Sequence, residues 1–198
     1  MMKVCIGSDH RGFAIKSKLL QTLRHHGYDA CDAGTDSTVA VDYPDFARKV
    51  AEKIGSGEAD RGILICGTGI GMAIVANKFP GVRAAPCYDE VMVEMSRRHN
   101  DVNVLCLPGD LIGERPVDEL VLMWLRTKFE GGRHAKRIRK IGVLESSLGC
   151  EVYAAEPASR QDQDGGIGRA NPSSSAAAGV MGDAAAPGTA ATRPLGDG

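Results

Sequence analysis

Aromatic residues are scarce in this 198-residue chain: one Trp, four Tyr and four Phe make up 5% of it. Net charge is scarcer still, with 24 Lys and Arg against 25 Asp and Glu. That balance excludes a general binder of nucleic acid or anionic membrane, which needs an excess of cations, and leaves room only for a local anion site. Long apolar runs are missing too. The longest uncharged stretch, residues 62–77, is 16 residues with four glycines, short of the ~20 apolar residues that cross a bilayer. The six cysteines, at 5, 31, 66, 87, 106 and 150, form no CxxC pair, and the opening MMKVCIGSDH lacks the apolar stretch of a secretory leader. Reduced thiols in a cytoplasmic setting are expected. The five histidines, at 10, 25, 26, 99 and 134, show no HxH, HxxxH or HExxH spacing, which argues against a zinc site. No repeat of roughly 20–50 residues is visible, so solenoid architectures fall away.

Composition changes sharply near residue 148. Residues 149–198 hold 12 Ala, 9 Gly, 4 Ser and 4 Pro, 29 of 50 positions, and only four residues from Leu, Ile, Val and Phe. So little apolar surface cannot offset the entropy of ordering, and a disordered tail is expected over 149–198. Without the tail's 3 basic and 6 acidic residues, residues 1–148 carry 21 basic and 19 acidic groups, a formal charge of +2. A domain of that length buries ~68–70% of its unfolded surface, enough for one ordinary core.

Within residues 1–148, five short apolar runs, at 3–7, 28–34, 61–67, 82–87 and 103–109, alternate with amphipathic segments near 11–26, 44–54, 70–78, 88–99, 116–129 and 134–146. The rhythm predicts a three-layer, Rossmann-like α/β fold, a five-stranded parallel sheet with helices on both faces. Right-handed crossovers bring every strand's carboxyl end to one edge, where ligands of such folds bind. The turns reaching that edge are Gly7-Ser8-Asp9-His10, Asp42-Tyr43-Pro44 and Cys66-Gly67-Thr68-Gly69-Ile70-Gly71.

The third turn is a candidate anion cradle, because glycines between an apolar strand and a helix expose several backbone N–H groups. Its spacing is GxGxG, neither the dinucleotide fingerprint GxGxxG nor a P-loop, so a nucleotide is a weak reading and plain tight packing remains open. Cys66 is a candidate base or nucleophile, since a thiol beside a helix N-terminus can have its pKa lowered; a buried apolar cysteine is the alternative, as for Cys5 and Cys106. Thr68 could pass a proton between substrate oxygens or simply cap the helix it precedes. Asp9 and His10 offer a carboxylate and an imidazole to a bound polyol, or a cap for the first helix. Farther on, residues 133–140 hold five formal cations, and Arg133 and Arg137, i and i+4 on a helix, could clasp one phosphate. No aromatic interleaves with these cations, which disfavours nucleic acid as a partner.

Five segments in order, SDH at 8–10, DYPDFA at 42–47, GILICGTGIGMAIVANKFPGVRAA at 62–85, SRRHNDVNVL at 96–105 and EGGRHAKRI at 130–138, resemble the type B ribose-5-phosphate isomerases. That group also includes allose-6-phosphate and galactose-6-phosphate isomerases. The resemblance spans roughly residues 2–146. It implies a cofactor-free and metal-free isomerisation of ribose 5-phosphate and ribulose 5-phosphate through a cis-enediolate, within the non-oxidative pentose phosphate pathway. Cys66 would move the proton between C2 and C1, and Thr68 would relay the proton between O1 and O2. The N–H groups of Gly67, Gly69 and Gly71 would hold the oxyanion. His99, helped by Asp9, would open the furanose ring; His10, Arg133 and Arg137 would bind phosphate; Tyr43 and Asn100 would line the sugar. The family divides between a cysteine base here and a glutamate a few residues later, where this chain has Met72. Its frequent arginine after the fifth strand is replaced by Asp110, an acid that would repel phosphate. A hexose-phosphate isomerase, or a non-catalytic phosphosugar or nucleotide module, are the alternatives. The implied assembly is a homodimer with shared sites, or a tetramer. Geometry agrees, because His99 ends a helix that returns to the edge opposite Cys66.

A chain ending at Ser147 is expected to fold and turn over like the full one. A drop in Tm of more than a few degrees would show that the tail packs on the domain.

Overall fold

The structure, a computed structural model, describes residues 1–110 and 116–148; the expected disordered tail over 149–198 lies outside the described residues. Five strands, β1 (Lys3–Ser8), β2 (Asp29–Asp32), β3 (Arg61–Cys66), β4 (Ala84–Pro86) and β5 (Val104–Pro108), pair in parallel in the order β2-β1-β3-β5-β4. Six helices accompany them: α1 (Phe13–His25), α2 (Tyr43–Gly55), α3 (Ile70–Ala76), α4 (Glu90–Asn100), α5 (Val117–Arg126) and α6 (Gly132–Leu148). The predicted five-stranded α/β arrangement is therefore the observed one. No helix of the described residues is long and apolar enough to cross a membrane.

Strand alternation sorts the core into two layers. Val4 and Ile6, Ile63 and Ile65, and Leu105 and Leu107 point to one face, where Leu19, Leu20 and Leu23 of α1, Val93 of α4 and Leu120, Val121 and Trp124 of α5 cover them. Cys5, Leu64, Cys66, Val104 and Cys106 point to the other face, under Ala47, Val50, Ala51 and Ile54 of α2 and Met72, Ala73 and Ala76 of α3. Strands buried on both faces read as continuous apolar runs, which is why 61–67 and 103–109 stood out. Cys5 and Cys106 are fully buried in their strands, as expected.

Element ends differ from expectation where a side chain intervenes. α3 stops at Ala76, short of 78, as the Asn77 amide brackets Ala84: Nδ2 donates to its carbonyl and Oδ1 accepts its N–H, both at 2.8 Å. α4 starts at Glu90, later than 88, because Asp89 is extended and its Oδ1 accepts the Met92 N–H at 2.8 Å, a true N-cap. It ends on Asp101, left-handed at φ +45°, whose carboxylate ties to Arg97 and Arg83.

Ile63 lies on the central strand with no exposed surface, so Ile63→Ala should cost ~2–5 kcal/mol in urea unfolding, whereas Val39→Ala at a 70% exposed position should stay within ~0.5 kcal/mol. Equal effects would show that the sheet interior is not packed as described.

Candidate active site

β1 and β3 end side by side where the strand order reverses, with β2 outside β1 and β5 beyond β3; crevices at such switch points take ligands. The Asp9 N–H donates to the Ile65 carbonyl (3.2 Å), which draws the turn after β1 onto β3. Asp9 is buried, and its Oδ1 accepts the N–H groups of Arg11 (2.9 Å) and Gly12 (3.2 Å), so this carboxylate fastens the start of α1. Beside it, His10 Nδ1 accepts the Val41 N–H at 3.2 Å. That bond needs a bare Nδ1 and so places the neutral ring's proton on Nε2.

Cys66 closes β3 with 5% of its surface exposed, and its Sγ accepts the Gly69 N–H at 3.2 Å. Gly69 is left-handed, φ +76°, and a Cβ there would stand 3.1 Å from the Leu107 backbone, so the turn requires a glycine at this point. Thr68 Oγ1 accepts the Ile70 N–H at 3.3 Å, a turn contact two residues on, while the N-cap position of α3 is Gly69, which has no side chain to cap with. Two donors of the loop are thus held by its own side chains. On the far side, Gly109 N–H binds the Cys66 carbonyl (2.7 Å) and Asp110 N–H the Gly67 carbonyl (3.2 Å). The Tyr43 ring lies over Gly71, where an added Cβ would come within 2.7 Å of it.

Arg11 escaped the sequence reading. It forms an ion pair with Asp110 across Gly67, where a Cβ would stand 2.9 Å from both the Arg11 Cζ and an Asp110 carboxylate oxygen. The acid that would repel phosphate is therefore matched by a cation from the turn after β1. The two residues are distant in sequence, so no local pattern announces the pair.

His99, Asn100, Arg133 and Arg137 gather elsewhere. α4 runs back across the sheet for 11 residues, ~16 Å at ~1.5 Å each. Its end stands by the amino ends of β4 and β5, where the Arg83 N–H donates to Asn103 Oδ1 (2.7 Å) and Arg83 Nη2 to Asp101 Oδ2 (2.9 Å). One chain therefore does not bring Cys66 or Asp9 together with His99. The His99 ring stacks on His134 of α6, centroids 4.2 Å apart and 2° from parallel. Glu130 Oε2 lies 3.8 and 3.7 Å from their Nε2 atoms, while its Oε1 accepts from Arg98 Nε at 2.5 Å. Arg133 Nε donates to His134 Nε2 at 3.3 Å. Burial, then His99, Arg133 and Arg137, pushes the His134 imidazole below its ordinary range; the Arg98 hydrogen bond chiefly holds Glu130 down. The ligand atoms of His99, Glu130 and His134 lie within 4.8 Å of one another, a metal-capable spacing in which Glu130 and His134 are four residues apart and His99 joins them from a distant helix. Guanidinium groups already hold Glu130 and His134, which arranges the cluster as a charge network.

Residues 4–141 match the ribose/galactose isomerase family model. Ribose-5-phosphate isomerase B of Escherichia coli is 42% identical over 145 residues, covering 73% of this chain and 97% of that protein. The D-erythrulose-4-phosphate isomerase of Pectobacterium atrosepticum is 39% identical over 146 residues, 73% of this chain and 96% of that one. The solved ribose-5-phosphate isomerase B of Clostridium thermocellum superposes with a TM-score of 0.72 at 50% identity, covering 74% of this chain and 99% of its own. The chain belongs to the ribose/galactose isomerase family.

A histidine whose folded-state pKa lies below its unfolded value keeps fewer protons when folded, so its stability contribution is complete above the unfolded value of ~6.5 and is lost as pH falls below it. Glu130 acts in the same direction below ~4.5. Folding stability should therefore decline from about pH 7.5 to 5.5, and His134→Gln should flatten that decline in urea titrations. An unchanged slope would show that His134 titrates alike in both states.

Proposed function

We propose that this family member is a cytoplasmic aldose–ketose isomerase that interconverts ribose 5-phosphate and ribulose 5-phosphate without a metal, serving the non-oxidative pentose phosphate pathway. The observation that carries the reading is the Cys66 thiol: nearly buried, at the carboxyl end of the central strand, and held by the Gly69 N–H within a loop of glycines. The Cys66 thiolate takes the C2 proton of the open-chain aldehyde and returns it to C1 of the enediolate. A positioned base of this kind is worth ~10²–10⁴ in rate. Thr68 relays the hydroxyl proton between O1 and O2. The N–H groups of Gly67 and Gly71, the glycine donors of the turn that its own side chains do not hold, face the charge that develops on oxygen, each such donor being worth ~2.7–4 kcal/mol in a comparable hole. Tyr43, over Gly71, sits against the sugar.

Ring opening by His99 and phosphate binding by Arg133 and Arg137 require a second copy of the chain, because these residues stand at the opposite edge from Cys66. A homodimer with shared sites supplies them, His10 completing the phosphate subsite from the Cys66 side and Asn100 the sugar pocket from the other. Exposed apolar side chains supply a surface for the partner: Ile70 and Ile74 on α3, Val91 and Met92 on α4, and Ile141, Val143 and Leu144 on α6.

Purified protein in EDTA should form ketose from ribose 5-phosphate faster than from allose 6-phosphate or an erythrose phosphate. A faster hexose or tetrose reaction would reassign the substrate, and no turnover would leave a binding module. Cys66→Ala should abolish turnover while phosphate-ligand binding stays nearly intact; activity within about tenfold of the parent would remove Cys66 as the base. Mixing inactive Cys66→Ala with inactive His99→Ala under subunit exchange should restore one intact site per heterodimer. Verified heterodimers that stay inactive would overturn the shared site.

A further inference from the structure

Cys5 of β1 and Cys31 of β2 are matched in the parallel register. Matched residues point to one face, and neighbouring strands lie ~4.7–4.9 Å apart, inside the ~4.4–6.8 Å of Cα separation that a disulfide spans. On the other flank Cys5 is matched with Gly62 of β3, which has no side chain, so along this row the Cys5 thiol meets the Cys31 thiol alone. Burial, followed by the neighbouring Cys31 thiol, pushes Cys5 well above the usual thiol range. The charged groups facing Cys5 are Lys53 of α2 and Glu58 after it, themselves an ion pair. The two cysteines differ sharply in access: Cys5 has no exposed surface, whereas Cys31 is exposed on the edge strand. Cys87 and Cys106, also neighbours, belong to opposite faces of the sheet and cannot pair in this way.

We propose that Cys5 and Cys31 form a redox-active dithiol, separate from the isomerase site, that reduces a hydroperoxide and closes to a disulfide. The exposed Cys31 thiolate attacks the peroxide; its O–O bond breaks, giving a sulfenic acid on Cys31 and one water or alcohol. The Cys5 sulfur then attacks the Cys31 sulfur, the S–O bond breaks, and the hydroxyl leaves with the Cys5 proton as a second water. Two electrons pass from two thiols to one peroxide. Access sets the order of events, Cys31 reacting first and Cys5 resolving, because a buried thiol that holds its proton is a poor first nucleophile. The register already holds both sulfurs in one row, so no strand has to move. The link would close the chain around α1 and tie the edge strand to the strand that carries Asp9 and His10.

The test treats the full chain and its Cys66→Ala variant with hydrogen peroxide, followed by alkylation, trypsin and mass spectrometry. The expected product is tryptic peptide 4–11 joined to 25–48 with a loss of about 2 Da, in both proteins, reversed by dithiothreitol and absent in Cys31→Ser. Cys31→Ser should keep full isomerase activity, which separates the dithiol from the reaction at Cys66. A gain of about 32 Da on Cys31 with Cys5 still alkylatable after unfolding would overturn the proposal. So would a Cys31 left unmodified, or one linked to any other cysteine.

Discussion

The carboxyl end of β3 is where the rest of the site takes its position. Residue 66 is held three ways at once: it is matched with Pro108 of β5, its carbonyl holds Gly109, and its sulfur holds Gly69. Because β3 is central, the turn after β1 and the turn after β5 must both pack against it, and each does so through a backbone hydrogen bond from Asp9 or Gly109. The left-handed Gly69 lets α3 leave the strand without lifting the thiol from the sheet. A thiol so fixed has little freedom to sample wrong geometries, which is the condition for a proton to be moved between adjacent atoms.

What the sequence made legible follows from this. Apolar runs, glycines and turn residues are local signals, so the five strands, the helices between them and the polar turns at one edge could be read from spacing alone. The helix ends could not be read as well, since Asn77 and Asp89 act by reaching a particular backbone atom. Two features were invisible for a deeper reason. Arg11 is far from Asp110, and His99 is far from the Glu130–His134 pair, whose members stand four residues apart, so a scan of histidines at short intervals never brings either set together.

The two groups of candidate residues also differ in physical character. Around Cys66 the polar atoms are largely held by backbone, in a rigid setting close to the core. Around His99 they are held by other side chains, with Arg98, Glu130, Arg133 and His134 sharing one another's charge. The first arrangement fixes atoms; the second adjusts to protons. A helix of three turns separates the two within one chain.

The borders of the sheet carry one more consequence. β2 has four residues with Asp29 and Asp32 at its ends, Asp32 already claimed by Lys16, and β4 has three residues ending in Pro86. Neither offers a neighbouring chain a long, uncharged row of free backbone groups. Growth of the sheet from molecule to molecule, the route toward fibrils, is thus disfavoured at both margins.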